Sequence, residues 1–314
     1  MKKLLFVLVA IVLHSSLVAQ RYNLDFGVKG GVANYLGDIG GGDLARPFVF
    51  NLEVKDTRWS TGAFIRYRFH PLFGYQGAFT YARVQGADSE SENPARLGRN
   101  LSFKNDILIL DNKLEFYPPQ LTMSDVGRRG RYRTDFKTYL FLGIGAIYHN
   151  PKTLYEGEYV KLRPLMTEGV SYSPFSISIP IGSGFYFTYR KQHRFGLEIS
   201  WNYTFTDYLD DVSGFYVNPS DMSSDPLAAI LANRNPELQY TAGNTYPDRA
   251  NYGPSNAISQ AENVFNKRGE AQNDNFILMT LSYSFVVKSN SGFNRSYSWI
   301  YRSKSRFGKT KARF

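Results

Sequence analysis

Asp210 and Asp211 stand side by side in the stretch Thr206-Asp207-Tyr208-Leu209-Asp210-Asp211-Val212-Ser213-Gly214, and paired carboxylates are what general acid/base chemistry uses. With His149 as a partner they would make an aspartate-histidine site of the kind found in a barrel protease. Two facts argue against it. Adjacent residues of a strand point to opposite faces, and no nucleophile or second base accompanies the pair. Of the four histidines, His14 falls in an N-terminal leader, and His70 and His193 fall in short connections. The expectation is therefore that the two aspartates close a turn over Ser213 and Gly214 and that the chain is not an enzyme. The absence of cysteine excludes disulfides, Cys-ligated zinc, iron-sulfur clusters and thiol nucleophiles. Gly40-Gly41-Gly42-Asp43 has no following helix or Lys-Ser/Thr pair, so it reads as a loop and not a phosphate cradle. Gly143-x-Gly145 and Gly182-x-Gly184 lie inside strand patterns, where period-two glycines permit curvature or close packing. No cofactor and no metal is expected.

The elements that carry these residues are strands. The chain has 314 residues, with 23 Tyr, 24 Phe and 3 Trp, and its one long apolar run lies within the first 19 residues. That run, 4–13, follows Lys2 and Lys3 and precedes Ser15, Ser16 and Ala19, which is the pattern of a secretory signal peptide cut after Ala19. No cysteine follows it, so no lipoprotein anchor is available. In the mature chain the periodicity is two almost everywhere. The clearest case alternates Phe195, Leu197, Ile199, Trp201, Tyr203 and Phe205 with Arg194, Gly196, Glu198, Ser200, Asn202 and Thr204. Residues 59–69 repeat the pattern, and looser versions run over 24–36, 74–84, 100–116, 136–148, 175–187 and 275–285. A soluble sandwich would turn the apolar faces inward, and an outer-membrane barrel would turn them to lipid. Segments of about ten residues, aromatics at segment ends, and charges on the non-aromatic face favour the membrane barrel. The predicted fold is all-β: an eight-stranded antiparallel transmembrane β-barrel whose lumen is filled by Arg66, Arg68, Arg194 and Glu198.

Connection lengths alternate as such a barrel requires. Those near His70 and over 188–193 are short, while 37–58, 85–99, 149–172 and 207–274 are long. Long loops face out and short turns face the periplasm when both termini are periplasmic. The connection 117–135 is long for a periplasmic turn and is expected to have a task. Within 207–274, Pro226-Leu227-Ala228-Ala229-Ile230-Leu231-Ala232 is the best helix candidate in the chain.

Several blocks resemble, in order, the PorG-like outer-membrane barrels of the Bacteroidetes type IX secretion system. They are Asn34-Tyr35-Leu36-Gly37-Asp38, Arg99-Asn100-Leu101-Ser102-Phe103 with Leu114-Glu115-Phe116, and Tyr139-Leu140-Phe141-Leu142-Gly143-Ile144-Gly145 with His149-Asn150-Pro151-Lys152. Leu162-Arg163-Pro164-Leu165, Thr167-Glu168-Gly169, Ile179-Pro180-Ile181-Gly182 and residues 206–214 complete the set. Met166 stands where a glycine is expected, and the expansion over 220–275 departs from the pattern. The resemblance implies a non-enzymatic component of secretion, with gliding as a further role that the same machinery can serve. It would dock a periplasmic ring of PorK-type lipoprotein and PorN-type protein to the outer membrane, with other outer-membrane secretion subunits and lipid as further partners. The alternative is an adhesion or ligand-binding barrel that works through its outer loops.

The charge fits a docking face. The net charge of +10 would by itself suggest nucleic acid, which an exported chain does not meet. Residues in the four long loops include 12 basic and 20 acidic, whereas the short turns, 117–135 and the tail 286–314 hold 14 basic and 2 acidic. The tail contributes Arg302, Lys304, Arg306, Lys309, Lys311 and Arg313 beside Trp299 and Tyr301, and the long turn contributes Arg128, Arg129, Arg131 and Arg133. Arginine with large aromatics is a favoured binding composition.

Overall fold

The computed structural model describes residues 23–40, 55–91, 94–118, 123–126, 134–190, 192–217, 222, 225–237, 258–259, 264–265, 268–269 and 271–287. The expected leader and the residues expected to dock a partner, Arg128, Arg129, Arg131, Arg133, Trp299, Tyr301, Arg302, Lys304, Arg306, Lys309, Lys311 and Arg313, lie outside the described residues.

All eight expected segments form strands. They are β1 (Asn23–Leu36), β2 (Arg58–Arg68), β3 (Phe73–Ala87), β4 (Ser102–Phe116), β6 (Thr134–Tyr148), β9 (Phe175–Tyr189), β10 (His193–Thr204) and β13 (Asn275–Val287). Short strands interrupt the connections: β5 (Met123–Val126), β7 (Lys152–Tyr155), β8 (Glu158–Lys161), and the two-residue pair β11 (Ile258–Ser259) and β12 (Val264–Phe265). Each of the eight long strands pairs antiparallel with its neighbours in the ring β1-β2-β3-β4-β6-β9-β10-β13. β13 then pairs back with β1, from Leu24 opposite Val287 to Leu36 opposite Asn275, so the sheet closes.

The wall is inside-out relative to a soluble barrel. Leu281 is 66% and Ile144 58% exposed on the outer face, whereas Arg66 is 2% and Lys113 and Glu115 are 0% exposed in the lumen. Only a lipid environment removes so much outward Leu, Ile, Val and Phe surface from water, and the chain is a transmembrane barrel. Aromatic rings concentrate toward the two rims. At the turn end Phe187, Phe195 and Tyr283 form a ladder with ring separations of 5.3 and 5.2 Å. At the loop end Trp59 stacks on Tyr81 at 4.8 Å and Tyr148 meets Phe175 at 5.2 Å.

The lumen is filled in two layers. Toward the loop end, inward Ala33, Ala82, Val84, Phe103, Ile107, Ile109, Ile147, Phe276 and Leu278 make an apolar core. Toward the turn end, Arg66 binds Glu115 at 2.8 Å, lies 3.6 Å from Asp25 and donates to the Tyr139 hydroxyl at 3.1 Å. Arg194 also pairs with Asp25, and Lys113 reaches Glu198 at 2.8 Å. The Arg66 guanidinium lies about equally close, 5.0 to 5.2 Å, to the rings of Phe64, Tyr139 and Tyr186. The strand glycines make room for this layer: a Cβ on Gly184 would lie 2.5 Å from Tyr139 Cζ, and one on Gly182 would lie 2.7 Å from Phe141 Cζ. They serve packing, as their position inside strands suggested.

Two connections differ from their expected form. The turn between β9 and β10 is three residues, 190–192, because both strands run further than their alternation indicated. The long connection after β4 folds back through β5, which pairs with the turn end of β6, Met123 opposite Phe136 and Val126 opposite Thr134.

Candidate functional site

With the lumen packed, the chemistry-bearing residues outside the wall gather at the loop end. All four long connections meet there. Asp88, just after β3, is fully buried and accepts from Arg99 Nε and Nη2, both at 2.7 Å, and from the Leu101 amide at 3.0 Å. Arg99 ends the short helix Pro94–Arg99, where a cation suits the helix C-terminus. Its remaining donors tie in two more loops, reaching the carbonyls of Asp38 and Arg268, each at 2.6 Å. Arg268 in turn donates to the Asp211 carbonyl at 2.6 Å and to Glu168 at 3.1 Å. Glu168 closes the circuit by accepting from the amides of Ser213 and Gly214, both at 3.0 Å.

This corrects the expected turn. Ser213 and Gly214 are held by Glu168 from another loop, and Asp210 instead accepts from the Val212 amide at 2.9 Å and the Ile39 amide at 3.2 Å. Asp211 has φ 72°, a left-handed conformation that aspartate tolerates better than most residues, and it accepts from Tyr172 at 2.6 Å and Thr167 at 2.5 Å. The two carboxyls therefore point into different neighbourhoods, as adjacent residues should. His149 is fully buried and stacks on Tyr172, with centroids 6.1 Å apart, and Tyr172 stacks on Tyr208 at 4.5 Å. Tyr172 stacks on His149 with its ring and donates to Asp211 with its hydroxyl, and no hydrogen bond joins a ring nitrogen of His149 to either aspartate. Among the described residues no group of three or more His, Cys, Asp or Glu is arranged to hold a metal ion.

The cap stores titratable groups in a low-dielectric setting. Burial, then the carboxylate of Asp38, pushes Asp210 well above the usual carboxylate range. Burial, then Asp210, does the same to Asp274, which accepts from the Tyr35 hydroxyl at 2.5 Å and the Leu209 amide at 2.9 Å. Burial raises Asp211 to about 6 against the opposing charge of Arg268, and burial raises Asp207 to about 7. Burial lowers His149 to about 4.

The signs follow from linkage. The raised carboxyls bind protons more tightly in the folded cap, so their contribution is full at low pH and is lost as pH rises through their folded values. His149 acts oppositely, its contribution being full above its ordinary value and lost as pH falls toward 4. The two oppose one another in mildly acidic solution, and above about pH 6.5 only the carboxyls act. The free energy of cap opening, measured by amide exchange corrected for intrinsic rates, is expected to fall from about pH 6.5 to about pH 8. The Asp207→Asn variant, whose carboxyl at about 7 titrates inside this range, should flatten part of that slope, and a slope of opposite sign would refute the assignment.

The blocks quoted above are scattered over the sequence, yet Asp38, Arg99 to Leu101, Thr167, Glu168 and Leu209 to Gly214 all belong to this one network. Residues 2–229 match a family described as a domain of unknown function, DUF6089. The chain belongs to the DUF6089 family. The match takes in seven strands of the DUF6089 barrel and three of its long loops, while β13 and the cap residues Arg268 and Asp274 lie beyond it. No curated protein matches the chain. Among solved structures it is similar to Neisserial surface protein A (NspA), at 8% identity and a TM-score of 0.34, covering 84% of this chain and 96% of that one. It is also similar to Ail, the attachment invasion locus protein of Yersinia pestis, solved in complex with the heparin analogue sucrose octasulfate. There the identity is 11% and the TM-score 0.31, over 84% of this chain and 99% of that one.

Asp88, Arg268 and Asp274 were missed by sequence reasoning. Each lies in a loop without periodicity, and its partner is distant in sequence. Met166 carried a signal. It takes a left-handed backbone with φ 45°, which is why glycine is the natural residue there.

Proposed function

We propose that this DUF6089 barrel sits in the outer membrane with its capped end outward and both termini in the periplasm, after removal of the signal peptide. In this reading it acts as a non-enzymatic component of type IX secretion, and of gliding where the two are coupled. It docks a ring of PorK- and PorN-type proteins to the membrane. The observation that carries the reading is the ordered set of blocks similar to PorG-like barrels. The convergence of those that fall in loops on one cap, the others lying in wall strands, supports treating them as a unit rather than as chance matches. The packed lumen supports a role exercised through surfaces, since an eight-stranded barrel filled by side chains has no path for cargo. The basic turn and tail supply the surface of the right sign on the periplasmic side, with Arg128, Arg129, Arg131, Arg133 and the tail from Trp299 to Arg313 as the contact residues.

A truncation tests it. Val286 and Val287 pair with Asp25 and Leu24 in the closing seam, so the deletion must begin after Val287. Without residues 288–314 the barrel is expected to remain folded and membrane-inserted, seen as heat-modifiable migration, and to lose the ring subunits from pull-downs. Retention of those subunits would remove the tail as the main contact. Deleting the whole gene separates this reading from adhesion. Failure to secrete many cargo proteins supports the ring dock, and a defect confined to surface attachment supports action through the outer loops, where Phe215 and Val170 are exposed.

A further inference from the structure

Charge on the outer wall is confined to one place. Among the described side chains, the outward-facing positions of the eight barrel strands carry Asp, Glu, Lys or Arg only at Arg83, Lys104 and Asp106, on neighbouring strands β3 and β4. The hairpin β7–β8 docks on β4 at this point and extends the patch. Lys104 is registered opposite Lys152, and Lys152 opposite Lys161. Registered partners project from the same face, so three lysines form one row across three adjacent strands. Like charges placed directly opposite are destabilising, and such a row needs an anion to compensate it.

The protein supplies only part of that anion. Asp106 is 2.7 Å from Arg83 Nε and 3.7 Å from Lys152 Nζ, and it also accepts from the Tyr81 hydroxyl at 2.5 Å. Lys104 Nζ lies 4.1 Å from the centre of the Tyr159 ring, and Lys161 is exposed. Asp106 thus meets two of the four cations, Arg83 and Lys152, and the next carboxylate, Asp56, is taken up by Gln85 opposite Lys104, so the row stays in excess of its acids.

The height of the row selects the missing anion. Leu108 and Leu110 follow Lys104 and Asp106 on the same face and belong to the lipid-exposed wall. Tyr81, stacked on Trp59, marks the aromatic girdle, and Arg83, opposite Asp106, is two residues beyond it toward the loop end, about 7 Å along the strand. That is the headgroup layer, where a phosphate brings more charge and more acceptor oxygens than a carboxylate.

We propose that Lys104, Lys152, Lys161 and Arg83 bind the phosphorylated headgroup of a membrane lipid on one side of the barrel. The proposal needs only a wall that spans a membrane, so it stands or falls separately from the secretion reading. The test places the full chain in phosphatidylcholine nanodiscs doped with phosphorylated lipid A or with the same lipid after dephosphorylation, and reads retained lipid by native mass spectrometry. The wild type should favour the phosphorylated lipid, and the Lys104→Gln/Lys152→Gln/Lys161→Gln variant should lose about tenfold or more of that preference. Lys161→Gln alone, on the edge strand, provides a milder variant if the triple one fails to fold. Arg190→Gln, at the turn end, should leave the preference intact. Equal retention of both lipids, or an unchanged preference in a folded triple variant, would overturn the proposal. Displacement by free inorganic phosphate or a sulfated glycan with no lipid preference would overturn it in favour of a soluble anion.

Discussion

Alanine in place of Arg66 should lower barrel stability by about 3–5 kcal/mol, measured by urea unfolding from lipid vesicles. Its guanidinium is the centre of the turn-end lumen. Removal strands the buried Glu115 carboxylate without its cation, while Asp25 keeps Arg194 and the Ser284 hydroxyl. Three rings, Phe64, Tyr139 and Tyr186, lose the planar group they pack around. The loss is thus the desolvation cost of one uncompensated carboxylate, Glu115, plus a cavity. Replacing the pair together, Arg66→Met with Glu115→Gln, should cost much less than the single change, because no charge is then stranded. If the double variant is as unstable as the single one, packing around the guanidinium matters more than its charge. In planar bilayers the wild type should show no large, stable conductance, and the Arg66→Ala variant, where it inserts, is the change most apt to admit ions.

The second large effect is expected at the other end. Arg99→Ala removes in one step the bidentate contact with Asp88 and the bonds to the Asp38 and Arg268 carbonyls. Breaking a buried pair by deleting one partner costs about 3–5 kcal/mol, here charged to cap opening rather than to the wall. Limited proteolysis should then cut within the long loops while the heat-modifiable barrel persists. Arg99→Lys should restore little, since an ammonium cannot span the carboxylate and two carbonyls as a planar fork does. Loss of the folded barrel together with the cap would instead show that the two ends form one cooperative unit.

The difference between these sites is also the difference between what could and could not be read from the chain. All eight wall strands announce themselves, because each has lipid on one side and packed polar side chains on the other, and that asymmetry prints as period two. The filled lumen followed from Arg66, Arg68, Arg194 and Glu198 lying on the polar face, and all four are buried there. The helix Pro226–Ala232 was legible as well, with Asp225 capping it by accepting from the amides of Leu227 and Ala228. The hairpin β7–β8 falls inside the connection 149–172, which reads as loop, although Glu156-Gly157 is a two-residue turn with both residues left-handed, flanked by alternating side chains. The cap was not legible. Its bonds join residues 169 positions apart, as from Arg99 to Arg268, and no local pattern encodes such a pairing.

The seam between β1 and β13 sets an order of events. Leu24 and Val287 meet only when nearly the whole described chain is present, so closure carries the largest loop entropy of any pairing in the sheet. Asp274, one residue before β13, is also the carboxyl that grips Tyr35 of β1 and the Leu209 amide. These two bonds of the cap therefore close only once the last strand has docked. An assembling chain that stalls earlier would present its loops unlatched and open to surveillance proteases, and only a finished barrel would escape them.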